Sequence, residues 1–125
     1  MTKCKKIDLG SFEEIGKLEN GKAFLKDALE LTSCEISINN VQKGFKVPFL
    51  HKHKQNEEVY IILKGEGILT VDNEKINVKE GSCIKIDPSS SRTIENTGNN
   101  ELHFICVQAK ANSLEQYGLN DAQIC

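Results

Sequence analysis

Short strand-like segments recur along this chain, and clusters of Gly, Asn, Asp or Ser residues separate them. Residues 34–41 alternate between apolar and polar side chains with a period of two, as a strand with one buried face does. Residues 57–64 read as a strand that is apolar on both faces. Further strands are predicted at residues 68–71, 75–78, 83–87, 92–95 and 102–108. About eight strands at this spacing predict a closed or sandwich-like all-β domain.

The two ends of the chain carry weaker patterns. Residues 11–30 mix apolar side chains with glycines, and they predict short strands with one helical turn. Residues 113–116 have the form of a capping box, which predicts a short helix that begins there. The length of 125 residues predicts a single domain over residues 1–125, with no second core.

Charge and hydropathy exclude several classes of partner. The chain has 16 Lys and Arg residues against 18 Asp and Glu residues, so nucleic acid is not expected as a main partner. No apolar run approaches the ~20 residues that span a bilayer, so a membrane is not expected either. The first residues lack the apolar stretch of a signal peptide, and we therefore expect a cytoplasmic protein.

The five cysteines indicate neither a disulfide framework nor a zinc knuckle, because their number is odd and no pair has the CxxC spacing. Three of them lie in apolar, strand-like runs and are predicted to be small buried side chains: Cys34, Cys83 and Cys106.

Two of the three histidines stand one residue apart, at His51 and His53. On a strand, residues i and i+2 point to the same face, so both imidazoles could converge on one ion. Glu57 and Glu58 open the next strand, and a carboxylate beside the pair would complete a two-His, one-carboxylate face. This donor set suits Fe(II), and also Zn, Ni or Mn, and leaves coordination positions open. The competing interpretation is two surface histidines in a Lys-rich turn.

Two motifs in this region resemble those of the cupin superfamily. The stretch His51-x-His53-x4-Glu58-x6-Gly65 is similar to the first cupin motif. The stretch from Gly81 to Asn96 is similar to the second. The resemblance implies an all-β fold: a cupin-type double-stranded β-helix (jelly-roll) barrel over about residues 30–109, with short peripheral helical turns. It also implies a homodimer, since many cupins pair.

The first motif carries its metal ligands over to His51, His53 and Glu58. The spacing to Gly65 selects Glu58, whereas periodicity alone leaves Glu57 open, because both faces of this strand are apolar. A strand covered on both faces also predicts that the outer one is a dimer interface.

The second motif departs from the family, because its histidine falls at Arg92. A guanidinium has no lone pair to give, so Arg92 is not a ligand. Either it points into the barrel and anchors a carboxylate or phosphate of the substrate, or it pairs with a surface acid such as Glu95 or Glu101. His103 is a candidate replacement ligand, although the alternation of its strand turns it outward.

The predicted function is that of a small cupin with one divalent transition metal (Zn, Fe, Ni or Mn) in the barrel. It would bind or act on a small oxygenated or anionic metabolite, with Tyr60, Ile62 and Phe104 as candidates for the pocket lining or the core. The resemblance does not distinguish dioxygenase, decarboxylase and isomerase chemistry, and it leaves open whether the protein is an enzyme. The alternative is a non-catalytic module that binds or senses a sugar or an organic acid at a degenerate metal site.

Overall fold

The computed structural model describes residues 3–125. Within this range there are eight strands: β1 (Lys22–Phe24), β2 (Glu35–Val41), β3 (Asn56–Lys64), β4 (Glu66–Val71), β5 (Glu74–Lys79), β6 (Cys83–Ile86), β7 (Arg92–Asn96) and β8 (Leu102–Lys110). The helical elements are single turns: α1 (Phe12–Ile15), α2 (Lys26–Leu29) and 3-10 turns at Glu19–Gly21 and Leu119–Asp121. The predicted all-β class is confirmed. No helix in the described range is both long enough and apolar enough to cross a membrane.

The strands form two antiparallel sheets that enclose the core. The larger sheet has the order β1-β2-β8-β3-β6, and the smaller one has the order β5-β4-β7. Isolated bridges from Lys46 to Glu95 and from His51 to Arg92 add the segment 46–51 to the free edge of β7. Both sheets contribute to the hydrophobic core, which includes Val41, Tyr60, Ile62, Leu69, Val78, Ile86, Ile94, Leu102, Phe104 and Cys106.

The alternation predicted from the sequence decides which side chains of the larger sheet face the core. Tyr60 of β3 lies opposite Cys106 of β8, and Ile62 lies opposite Phe104, and all four are buried. Removing one such side chain from water contributes roughly 1.5–3 kcal/mol to folding.

The outer face of the same sheet carries six half-buried aliphatic side chains, in register on β2, β8 and β3: Ile36, Ile38, Val59, Ile61, Ile105 and Val107. This surface is where the predicted homodimer would pack, because a contiguous aliphatic face is costly to leave in water. Dimerisation stays a prediction, and sedimentation velocity measures it.

Gly65 makes the turn between β3 and β4, and its conformation explains why glycine stands there. Its φ is +93°, in the region that side chains disfavour, and a Cβ would come to 2.6 Å from the backbone oxygen of Glu101. The glycine that ends the first motif is therefore required by the close approach of the backbone of residue 101.

The ends of the chain differ from the predictions. The segment 113–116 is not helical; the Ser113 hydroxyl donates back to the carbonyl of Lys110 at 2.6 Å instead of capping a helix. Leu114 is 74% exposed, so a helix here would have buried little apolar surface. The N-terminal segment contains three helical turns, two α-helical and one 3-10, rather than one.

The cysteine prediction is correct for Cys106 and wrong for Cys83. Cys83 begins the edge strand β6 and is exposed, because its register with Ile61 places it on the outer face. Cys34 precedes β2 and is only partly buried.

Candidate metal centre

Three backbone hydrogen bonds hold the two motif histidines in place. His51 and Arg92 exchange N–H to carbonyl bonds of 3.2 and 2.9 Å, and the N–H of His53 donates to the carbonyl of Pro88 at 2.9 Å. The segment is thus extended beside β7 without being a continuous strand, which is the difference from the predicted geometry. Glu58 lies on β3 of the other sheet, so the site joins the two sheets across the barrel.

The side chains of His51, His53 and Glu58 converge. Each offers one ligand atom, and these atoms lie within 4.8 Å of one another. Nε2 of His51 is 3.9 Å from Oε1 of Glu58, and Nε2 of His53 is 3.3 Å from Oε2. Glu58 is 4% exposed, whereas Glu57 is only partly buried and does not belong to this group. The structure brings together the three side chains that the first motif selects.

These residues fit a divalent transition metal. Nδ1 of His51 and Nε2 of His53 are buried and have no hydrogen-bond partner among the residues described. Such atoms cost free energy unless something else coordinates them. Burial lowers the pKa of His51, while Glu58 raises it and Arg92 lowers it. The neutral imidazole, which has the lone pair that a metal needs, is therefore favoured.

Arg92 is completely buried inside the barrel. Its Nη1 donates to Oε1 of Glu58 at 2.6 Å, its Nη2 to the carbonyl of Asp87 at 2.7 Å, and its Nε to the carbonyl of Ser90 at 3.0 Å. It thus points inward, and its acidic partner is Glu58, not Glu95 or Glu101. The guanidinium neutralises the charge of the one carboxylate in the cluster. Its hydrogen bonds to the carbonyls of Asp87 and Ser90 also stabilise the turn between β6 and β7.

Cys106 is a member of this site that the sequence analysis missed. Its Sγ donates to Oε2 of Glu58 at 3.4 Å, so Arg92 and Cys106 hold opposite oxygens of one carboxylate. Burial, together with the charge of Glu58, raises the pKa of Cys106 and keeps the thiol protonated. The alternation of β8 places Cys106 on the barrel face beside Phe104, and that signal could have found it.

His103 lies on the other side of the sheet. It is buried beneath α1, and its ring stacks on Phe12 with centroids 4.9 Å apart. The predicted outward orientation is therefore correct, and His103 is separate from the cluster of three ligand atoms.

A cavity of about 510 Å³ opens beside the cluster, and His51 forms part of its wall. Tyr60 and Phe104, two of the candidate lining residues, also lie on this wall and stack on each other with centroids 5.2 Å apart. Burial raises the pKa of Tyr60, so its phenol stays protonated. Ile62 is buried in the hydrophobic core and does not line this cavity.

Comparison with known proteins relates this arrangement to two curated relatives. An uncharacterized protein of Methanocaldococcus jannaschii is 51% identical over an alignment of 97 residues, and the match covers 68% of this chain and 74% of that protein. A protein of Thermotoga maritima named oxalate-binding protein is 41% identical over 92 residues, or 74% of this chain and 75% of that protein.

A solved structure and a family model identify the family of this chain. The crystal structure of a cupin protein from Bacteroides fragilis superposes with a TM-score of 0.88 at 38% identity, and the match covers 100% of this chain and 99% of that one. The family model described as Cupin domain matches residues 38–108, a segment that contains His51, His53, Glu58 and Arg92. The two sheets are thus the predicted cupin-type barrel, and the chain belongs to the cupin family.

Proposed function

We propose that this cupin binds one divalent transition metal (Zn, Fe, Ni or Mn) through His51, His53 and Glu58, and that the metal and its surroundings take up a small oxygen-rich anion. The observation that carries the proposal is the convergence of three donor atoms within 4.8 Å, beside a cavity whose wall includes His51. A bound ion would supply a Lewis acid that polarises a carboxylate or carbonyl oxygen.

The charges of the site favour an anion as the second component. Without a metal, the carboxylate of Glu58 and the guanidinium of Arg92 neutralise each other. A divalent ion bound between neutral imidazoles would leave the site with an excess of two positive charges. The guanidinium of Arg92 would repel this ion by several kcal/mol at a distance of ~5 Å. A dianion removes that excess. The relative named oxalate-binding protein supports a small dicarboxylate as the ligand class.

Coupling between metal and oxalate tests this function. We expect oxalate to raise the affinity of the metal-depleted protein for Mn²⁺ or Zn²⁺ at least tenfold, which corresponds to ~1.4 kcal/mol of coupling. Calorimetric titrations with and without oxalate measure this coupling, and acetate is the monoanionic control. Equal metal affinities with and without oxalate would contradict the proposal.

The second candidate function is a non-catalytic module that binds or senses an organic acid or a sugar without a metal. The buried Arg92–Glu58 pair favours it, because the carboxylate already has a cation at 2.6 Å. Such a module would be stabilised by its ligand in metal-free solution, by RT ln(1 + [L]/Kd). Thermal-shift measurements in a chelator distinguish the two functions, since the metal-dependent site responds to oxalate only after metal is added.

A pair of adjacent glutamates offers a matched test of the ligand set. We expect Glu58→Gln to weaken metal binding at least a hundredfold, because a neutral amide oxygen replaces the anionic ligand. Glu57→Gln removes the same charge one residue away, outside the cluster, and we expect it to change the affinity less than about threefold. Metal content after gel filtration, measured by mass spectrometry, checks both variants. Similar losses in the two variants would contradict the assignment of Glu58 as the ligand.

A further inference from the structure

The mouth of the 510 Å³ cavity is lined by aromatic rings that face solvent. Phe24, Phe45 and Phe49 all lie on its wall, and they are 57%, 52% and 61% exposed. Phe24 comes from the edge strand β1, and the other two come from the segment between β2 and β3. Large apolar side chains gathered around a concave opening are typical of a site that binds an apolar surface.

Asn39 lines this cavity, and its side-chain oxygen has no hydrogen-bond partner among the residues that the structure describes. Asn39 is 1% exposed, and its Nδ2 donates to the carbonyl and the hydroxyl of Ser37 and to the carbonyl of Phe104. These acceptors fix the orientation of the amide. Its Oδ1 is therefore an acceptor, and it is buried without a hydrogen bond to any described residue. Only an O–H or N–H group could pair with it.

The size of the cavity argues for a ligand larger than oxalate. A volume of about 510 Å³ lies within the range of roughly 300–1,000 Å³ that is usual for small-molecule sites. Oxalate would fill a small part of this space. Its ionised form carries no hydrogen-bond donor for Asn39 and no hydrocarbon for the phenylalanines.

We propose that the cavity binds an organic acid with an aromatic or hydrocarbon body and a hydroxyl or N–H group that donates to Oδ1 of Asn39. The carboxylate faces the His51 end of the wall, and the apolar body lies against Phe45 and Phe49. The placement of the carboxylate rests on the proposed function of the metal centre. The recognition of the body and of the donor group rests only on the cavity.

Matched ligands test this proposal without disturbing the protein. Calorimetry with phenylpropionate and with its meta- and para-hydroxylated forms compares acids that differ by one donor. We expect at least one hydroxylated acid to bind about fivefold more tightly than phenylpropionate, as one recovered hydrogen bond allows. Varying the ligand is preferable to replacing Asn39, because its Nδ2 donates to Ser37 within β2 and to the carbonyl of Phe104 on the neighbouring strand β8.

A second comparison tests the apolar wall. Phe49→Ala shortens an exposed side chain on the wall, and Leu114→Ala shortens an exposed side chain outside it, so neither should disturb the fold. We expect Phe49→Ala to weaken the hydroxylated acid at least threefold and Leu114→Ala to leave its affinity unchanged. Equal effects of the two variants, or equal affinities for the hydroxylated and parent acids, would overturn the proposal.

The same titrations separate this inference from the proposed metal function. They are run on metal-free and metal-loaded protein, with metal content measured on each sample. Metal uptake with oxalate binding, but without the preference for the hydroxylated acid, overturns the cavity inference and leaves the metal function standing. Failure to take up metal overturns the metal function, and the metal-free titrations still decide the cavity. Sedimentation velocity adds one more outcome: the unsubstituted protein could be a dimer that Phe49→Ala converts to a monomer. That result would assign the aromatic rings at the cavity mouth to contact with a second copy of the chain, and it would overturn the inference.

Discussion

Arg92→Met is expected to lower the melting temperature of the metal-free protein by roughly 10–20 °C. The substitution leaves Glu58, which is 4% exposed, without its cation, and it removes the donors to the carbonyls of Asp87 and Ser90. Breaking a buried ion pair by removing one partner costs about 3–5 kcal/mol. In a domain of this length, each kcal/mol shifts the melting temperature by roughly 3–5 °C.

Metal is expected to reverse much of this loss, because a divalent ion would take over the role of the guanidinium beside Glu58. The rise in melting temperature on adding Mn²⁺ or Zn²⁺ should therefore be larger in Arg92→Met than in the unsubstituted protein. Differential scanning calorimetry with and without metal measures both effects. Lys85→Met is the matched control, since it breaks an ion pair of 2.8 Å to Asp87 whose partners are 59% and 64% exposed. A metal-free Arg92→Met protein that melts as the control does would contradict the structural role of Arg92.

His53→Ala is expected to abolish stoichiometric metal binding while leaving the barrel folded. The loss of one of three protein ligands should reduce retained metal from about one equivalent to less than about a tenth. Nε2 of His53 has no hydrogen-bond partner among the described residues, and the side chain is 25% exposed, so its removal should shift the metal-free melting temperature by only a few degrees. Mass spectrometry measures the metal content, and circular dichroism measures whether the barrel is folded.

The third histidine supplies the opposite control. His103 is buried against Phe12 and lies outside the cluster, so His103→Ala should lower stability and retain the metal. Retention of metal by His53→Ala, or its loss from a folded His103→Ala protein, would mean that the ligands have been misplaced.

Much of the site was predictable because motif spacing and strand alternation, both readable from the local sequence, determine where its residues lie. The spacing of the first cupin motif, from Glu58 to Gly65, selects the glutamate that the structure places in the cluster. The glycine of that motif is needed where β3 turns beside the backbone of Glu101. Alternation along β8 places Phe104 and Cys106 on the barrel face and His103 on the other. When one face of a strand is buried, apolar and polar residues alternate along its sequence with a period of two.

The partners of side chains across the barrel were not predictable in the same way. Arg92 and Glu58 are 34 residues apart, on strands of different sheets, and no local pattern relates them. The capping-box form at residues 113–116 failed for a related reason, because a helix in a protein is stabilised by the apolar face that it buries, and Leu114 buries little. The orientation of the Asn39 amide depends in part on the carbonyl of Phe104, which only the folded sheet brings within reach of its nitrogen.

Anomalous diffraction from crystals grown with Mn²⁺ or Zn²⁺ tests the central claim most directly. The account predicts one peak inside the barrel, about 2.0–2.3 Å from a nitrogen of His51, a nitrogen of His53 and an oxygen of Glu58. The contradicting result is a barrel without a peak at saturating metal, with Arg92 still bound to Glu58 and the two imidazoles turned away from it.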